Sequence, residues 1–153
     1  MADLWLQKAV VLVCVWAVSY TLSQHDKRCN MSGTWVNELG SVLTLAAKGP
    51  HLSGSLQSSV ETSQGAAGDE KMGKVVGVLG DGEQPTFTMS VKWSAGSVST
   101  WAGQCFWRTN CPVLRAIWLL RSEVSTEDKN WKATRIGEDL FRPQKACDSD
   151  QLP

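Results

Sequence analysis

Histidine is almost missing from this chain, which has only His25 and His51 among 153 residues. No C-x-x-C spacing occurs either, which argues against a zinc site or a thiol-redox centre. The G-x-S-x-G elbow of a serine hydrolase is absent. Neither His25, in an N-terminal tether, nor His51, at the start of an extended run, stands where a base would serve a nucleophile. Acidic and basic residues balance at 15 each, so nothing suggests a nucleic-acid groove or a polybasic membrane patch. The apolar run near the start, Ala9 to Val18, is about ten residues and too short to span a bilayer.

That run follows Lys8 and ends at the small-x-small site Ala17-Val18-Ser19. It reads as a secretory signal peptide over residues 1–23, cleaved after Ser19 to Ser23, which puts the mature protein outside the cell. Cys14, Trp5 and Trp16 leave with it. About 130 residues remain, one domain by size, read as a barrel over 24–142 and a polar tail over 143–153. Four cysteines stay: Cys29, Cys105, Cys111 and Cys147. An even number in a secreted chain implies disulfides, and four allow three pairings. Cys29–Cys105 with Cys111–Cys147 is the preferred pairing, with Cys147 stapling the tail to the body. Asn30-Met31-Ser32 is an N-glycosylation acceptor whose place beside Cys29 hinders occupancy.

Glycine and polar clusters punctuate the rest every ten to fifteen residues. The spacing predicts strands over roughly 33–38, 41–48, 51–60, 73–80, 86–93, 97–107, 113–122 and 131–140. "TFTMSVKW" alternates cleanly, with Phe87, Met89, Val91 and Trp93 on one face. Leu, Ala and Arg in 113–122 would also suit a helix, but the flanking strand signals favour β. Eight short strands with short turns suggest an all-β fold, an antiparallel up-and-down barrel, since closure removes both edges; a sandwich is second. One link is long and rich in Gly, Ala and Ser, from Glu61 to Gly73, and reads as a mobile lid or binding loop.

Polar residues sit where a core should be. Alternation in "TWVNELGS" puts Asn37 and Ser41 on the face of Trp35, and "HLSGSLQSSV" puts Ser58 on the face of Gly54 and Leu56. An inward polar group is costly unless something satisfies it. Trp93, Trp101, Trp118 and Trp131 fall in or beside the late strands, where plain core is the commoner role for tryptophan. Together with the inward hydroxyls and amide they describe a pocket for a compact ligand with an apolar body and a polar head. Glu61, Asp69, Glu70, Asp81 and Glu83 read as solvated loop acids, whereas Asp139 lies near the end of the last strand.

The segments "C.MSGTWVNELGS", "QPTFTMSVKW", "WAGQCF", "IWLLRS" and "WKATRIG", in that order, resemble the avidin family. The resemblance runs from Cys29 to about Phe141. It implies an eight-stranded barrel that binds biotin at one open end, needs no cofactor, performs no catalysis and assembles as a homotetramer. It also favours the Cys29–Cys105 disulfide. Position by position, it implies that Asn37 and Ser41 donate to the ureido oxygen, while Ser58 and Asp139 accept from the two ureido N–H groups. Ser99 would lie near the thioether sulfur, and Trp93, Trp101 and Trp118 would cage the rings. Leu120 matches an apolar wall residue, and Leu39 belongs to the same implied site. Trp131 matches the tryptophan lent to a neighbouring subunit. Ser97, Thr62 and Ser63 are the candidates for the valerate carboxylate.

Two departures stand out. The segment after Trp93 is short and lacks a bulky aromatic, and Leu56 stands where the family has a tyrosine that donates to the ureido oxygen. Biotin binding weaker than that of the tightest members is therefore expected. Three rivals are a binder of another small ligand on the same fold, a secreted hydrolase, and a structural domain with tryptophans as plain core.

Overall fold

A computed structural model describes residues 28–108, 111–145 and 147. The expected signal peptide over residues 1–23 and His25 lie outside the described residues. Eight strands follow in chain order: β1 Gly33–Asn37, β2 Val42–Lys48, β3 His51–Gln57, β4 Met72–Leu79, β5 Thr86–Lys92, β6 Val98–Arg108, β7 Cys111–Arg121 and β8 Thr134–Pro143. Each pairs antiparallel with the next, and β8 returns to β1 at Val36↔Arg142, closing the barrel. The expected up-and-down barrel is thus the observed fold. Closure leaves no unpaired edge, which a chain of short alternating strands would otherwise expose.

Alternation does the packing. Along β5, Phe87, Met89 and Val91 are buried while Thr86, Thr88, Ser90 and Lys92 are exposed. Residues 113–122, where a helix was the competing reading, lie almost wholly in β7, because Val113, Leu114 and Ala116 bury against the barrel while Arg115 and Ile117 face out. Boundaries shift from the sequence reading by up to three residues, and two of the shifts bear on the site. β3 stops at Gln57, and β8 begins at Thr134 after a 3-10 helix over Glu127–Lys132. Acids in the first turn of that helix and lysines in its last complement the backbone dipole. Arg121 ties it down, donating to Asn130 Oδ1 and, at 3.1 Å, to Thr134 Oγ1.

The two barrel ends differ. At one, the segment before β1 packs inward: Met31 is fully buried and its carbonyl accepts from Trp35 Nε1 at 3.0 Å. Cys29 there bonds Cys105 on β6, and its N–H donates to the Glu83 carbonyl at 2.7 Å. Cross-linking positions 76 apart removes chain entropy from the unfolded state, worth about 4 kcal/mol in the loop-closure picture. Cys111–Cys147 is the second disulfide and holds the tail. The other end, where β1, β3, β5 and β7 finish and their partners begin, is open.

Candidate functional site

A cavity of about 400 Å³ occupies the open end. Its wall is built in rows set by the sheet register. Nearest the mouth, Val91 pairs with Ser99, Ser99 with Leu120, and Leu120 with Arg135. One row deeper, Met89 pairs with Trp101, Trp101 with Trp118, and Trp118 with Gly137. Below that, Phe87, Gly103, Ala116 and Asp139 follow in the same way. Gly137 is required by its neighbour: a Cβ there would lie 3.0 Å from Trp118 Nε1 and only 2.6 Å from Cε2. The indole therefore lies against bare backbone.

At the floor, Asp139 Oδ1 accepts from Asn37 Nδ2 at 2.9 Å and Oδ2 accepts from Trp101 Nε1 at 2.8 Å. Burial pushes the Asp139 carboxyl above its ordinary value of 3.8; the Trp101 and Asn37 donors pull it back, and the nearby Glu38 charge adds to the rise. The Asn37 amide is oriented from the other side, because its Oδ1 accepts the Leu39 and Ser41 N–H groups at 3.1 and 2.8 Å. Its NH2 must then face Asp139, and one of its two hydrogens remains for a ligand.

The hydroxyls are also set. Ser41 Oγ accepts the Ser59 N–H at 3.1 Å and lies 3.0 Å from Ser59 Oγ. Ser58 Oγ donates to the Val60 carbonyl at 2.7 Å, which commits its hydrogen and leaves a lone pair. Trp93 Nε1 donates to Ser99 Oγ at 2.8 Å, leaving the Ser99 hydrogen unspent. Inward polar groups, costly when unpaired, thus satisfy one another before any ligand arrives. The cavity is polar at fixed points and preformed.

Of the residues singled out from sequence, Asn37, Ser41, Leu56, Ser58, Asp139 and the three tryptophans Trp93, Trp101 and Trp118 line this cavity. Ser97, Ser99, Leu120 and Thr62 do so nearer the mouth, with Leu39 61% exposed at the rim. Two are not brought in. Ser63 is exposed in the β3–β4 loop, and Trp131 sits 82% exposed on the 3-10 helix, off its own chain's cavity. His51 is exposed and does not line the cavity.

Sequence reasoning missed several lining residues. Glu61, read as a solvated acid, stands in the wall, where its Oε1 lies 3.7 Å from Lys71 Nζ and Oε2 accepts the Gly65 N–H at 2.8 Å. The loop that carries it is less free than its composition suggests. Successive turns bond Ala66 to Ser63, Gly68 to Gly65 and Lys71 to Gly68, and Ala67 is buried in the core. Ala66 lines the cavity from that loop, which has no periodicity to betray it, whereas Val60, which also lines it, shares the parity of Leu56 and Ser58. Continued alternation would put Ser59 on the outer face with Ser53 and Ser55, but the strand ends at Gln57 and Ser59 turns back to Ser41. Arg135 and Phe141 also line the cavity, and their parity with Asp139 was legible from sequence.

Comparison with known proteins agrees with this geometry. The avidin family profile matches residues 25–144. Avidin from Gallus gallus is 32% identical over 119 residues, covering 75% of this chain and 78% of its own length. Avidin-related protein 4/5 from Gallus gallus is 33% identical over 124 residues, covering 78% and 81%. Among solved structures, Xenavidin aligns with a TM-score of 0.70 at 32% identity, covering 76% of this chain and 98% of its own. A biotin binding protein from chicken aligns with a TM-score of 0.70 at 35% identity, covering 78% and 99%. By register, cavity and sequence together, the chain belongs to the avidin family.

Proposed function

We propose that this protein binds and sequesters biotin without chemically changing it, as a non-enzymatic member of its family. The observation that carries the reading is the floor of the cavity, where Asp139 and Asn37 present an acceptor and a donor side by side, locked by Trp101 and the β1–β2 turn. A cyclic urea needs that combination: its oxygen accepts while its N–H groups donate. Asn37 retains a hydrogen for the ureido oxygen, with Ser41 beside it. Asp139 and Ser58 accept from the two N–H groups, Ser58 with the lone pair its bond to Val60 leaves free. Trp93, Trp101 and Trp118 cover the apolar rings, and Ser99 turns its hydrogen toward the thioether. Ser97 and Thr62 serve the carboxylate end. A site already bonded internally needs little reorganisation on binding, which favours affinity.

Leu56 removes one donor from the ureido oxygen, so affinity falls below that of members with a hydroxyl there. The mature protein acts outside the cell after its signal peptide is removed, with Asn30 as its glycan acceptor. It assembles as a homotetramer in which Trp131 completes a neighbour's site. The outward face supports assembly: Leu119 pairs with Ile136 on β7–β8, and Ile117 and Val98 lie on the same side, all exposed apolar residues.

Calorimetric titration with biotin and 2-iminobiotin tests the reading. Binding well tighter than micromolar is expected; affinity no better than micromolar would leave a same-fold binder of another ligand as the better account.

A further inference from the structure

We propose that Arg135 is the anion-recognition residue of the cavity mouth and selects ligands that carry a carboxylate opposite their N–H donors; this rests on the biotin reading above. Alternate positions of β8 send Arg135, Gly137 and Asp139 toward the barrel interior, and Arg135 pairs with Leu120 one row above Trp118. Every other charge that lines the cavity is compensated. Glu61 has Lys71 and the Gly65 N–H, and Asp139 has the Asn37 and Trp101 donors. Of the three charged side chains that line the cavity among the described residues, Arg135 is the one with neither a hydrogen bond nor an ion pair.

The cavity is therefore polarised, with a carboxylate at its floor and an uncompensated guanidinium at its mouth. Four residues of strand separate them, about 13 Å of backbone rise. That span fits a fused-ring head followed by a short alkyl chain. Among the described residues that line the cavity, Arg135 is the single cation. The β5–β6 turn is closed by the Gly96 N–H on the Trp93 carbonyl at 3.2 Å and carries only Ser94, Ala95 and Gly96. Beyond it, Ser97 contributes a hydroxyl. The planar fork of a guanidinium matches a carboxylate in two parallel bonds, which a serine cannot supply.

The test is calorimetry on the full mature chain with biotin and with biotin methyl ester, each at low and high salt. The natural chain should prefer biotin by about three- to tenfold, a range between an exposed ion pair and a partly enclosed charge-assisted bond, and salt should shrink the preference. Arg135→Gln should bring the two ligands within about twofold of each other. Arg135→Lys, which keeps the charge without the fork, should fall between. An Arg135→Gln protein that keeps the full preference, or a natural chain with none, overturns the inference while the biotin reading stands, because both ligands still bind. If neither ligand binds the natural chain, the biotin reading falls and this inference with it.

Discussion

Restoring a hydroxyl at position 56 tests the proposed ligand geometry most directly. Leu56 is 3% exposed, faces inward opposite Leu43 on β2 and Gly73 on β4, and lines the cavity. Leu56→Tyr should place a phenol near Asn37 and Ser41, where the ureido oxygen belongs. A ring is larger than leucine, so the substitution costs about 1–3 kcal/mol of stability through overpacking. Leu56→Phe incurs the same steric cost without the hydroxyl, and the ratio of the two variants' affinities isolates the hydrogen bond. A donor to a buried, polarised oxygen contributes about 1.5–3 kcal/mol, so Tyr should bind biotin roughly ten- to a hundredfold more tightly than Phe. Competition calorimetry gives the ratio, and thermal denaturation of both proteins checks that their folds suffer equally. Equal affinities would refute the reasoning: Leu56 would then not face the ureido oxygen, and the register of β3 against the ligand would be wrong.

Three further outcomes follow from the same geometry. A ligand N–H donates to Asp139 in its ionised form, and burial holds that carboxyl above its ordinary value. Biotin affinity should fall as pH drops through that raised value, and Asp139→Asn should flatten the profile; an unchanged profile removes Asp139 from the ligand's contacts. In the empty protein the sign reverses. The raised carboxyl adds stability that is full below about pH 3.8 and lost as pH rises through the folded value, which acid titration of the melting temperature would detect. Gly137→Ala pushes a methyl into the Trp118 indole, so stability should drop by about 1–3 kcal/mol and biotin affinity with it, read by tryptophan fluorescence and calorimetry. Trp131→Lys should leave the subunit's own fold intact, since the ring is 82% exposed, yet reduce both assembly mass by light scattering and biotin affinity. If neither changes, Trp131 serves no neighbouring site.

Period-2 alternation is a local property, and it carried most of the fold. Phe87, Met89, Val91 and Trp93 were legible as one buried face, and Asn37 with Trp35 as an inward polar group. Four cysteines were legible as two bridges, although their pairing needed more than their number. The single leucine of "HLSGSLQSSV" and the hydroxyl of Ser58 were placed on the inner face by parity, and both line the cavity.

What alternation could not supply was any partner distant in the chain. Asn37 and Asp139 are 102 residues apart, and only closure of β8 onto β1 and β7 brings the carboxylate to the amide. The same closure makes an inward polar group affordable before a ligand is present. Loops escaped altogether, because a chain that has left the pleat has no period. Thus Glu61 became wall rather than solvent, Ser59 turned back to Ser41, and Trp131 left the last strand for a 3-10 helix. Sequence by itself determined which faces the strands bury. The tertiary structure decided which polar groups meet inside and which charge, Arg135, is left at the mouth, because those depend on where a closed sheet puts residues that local spacing cannot relate.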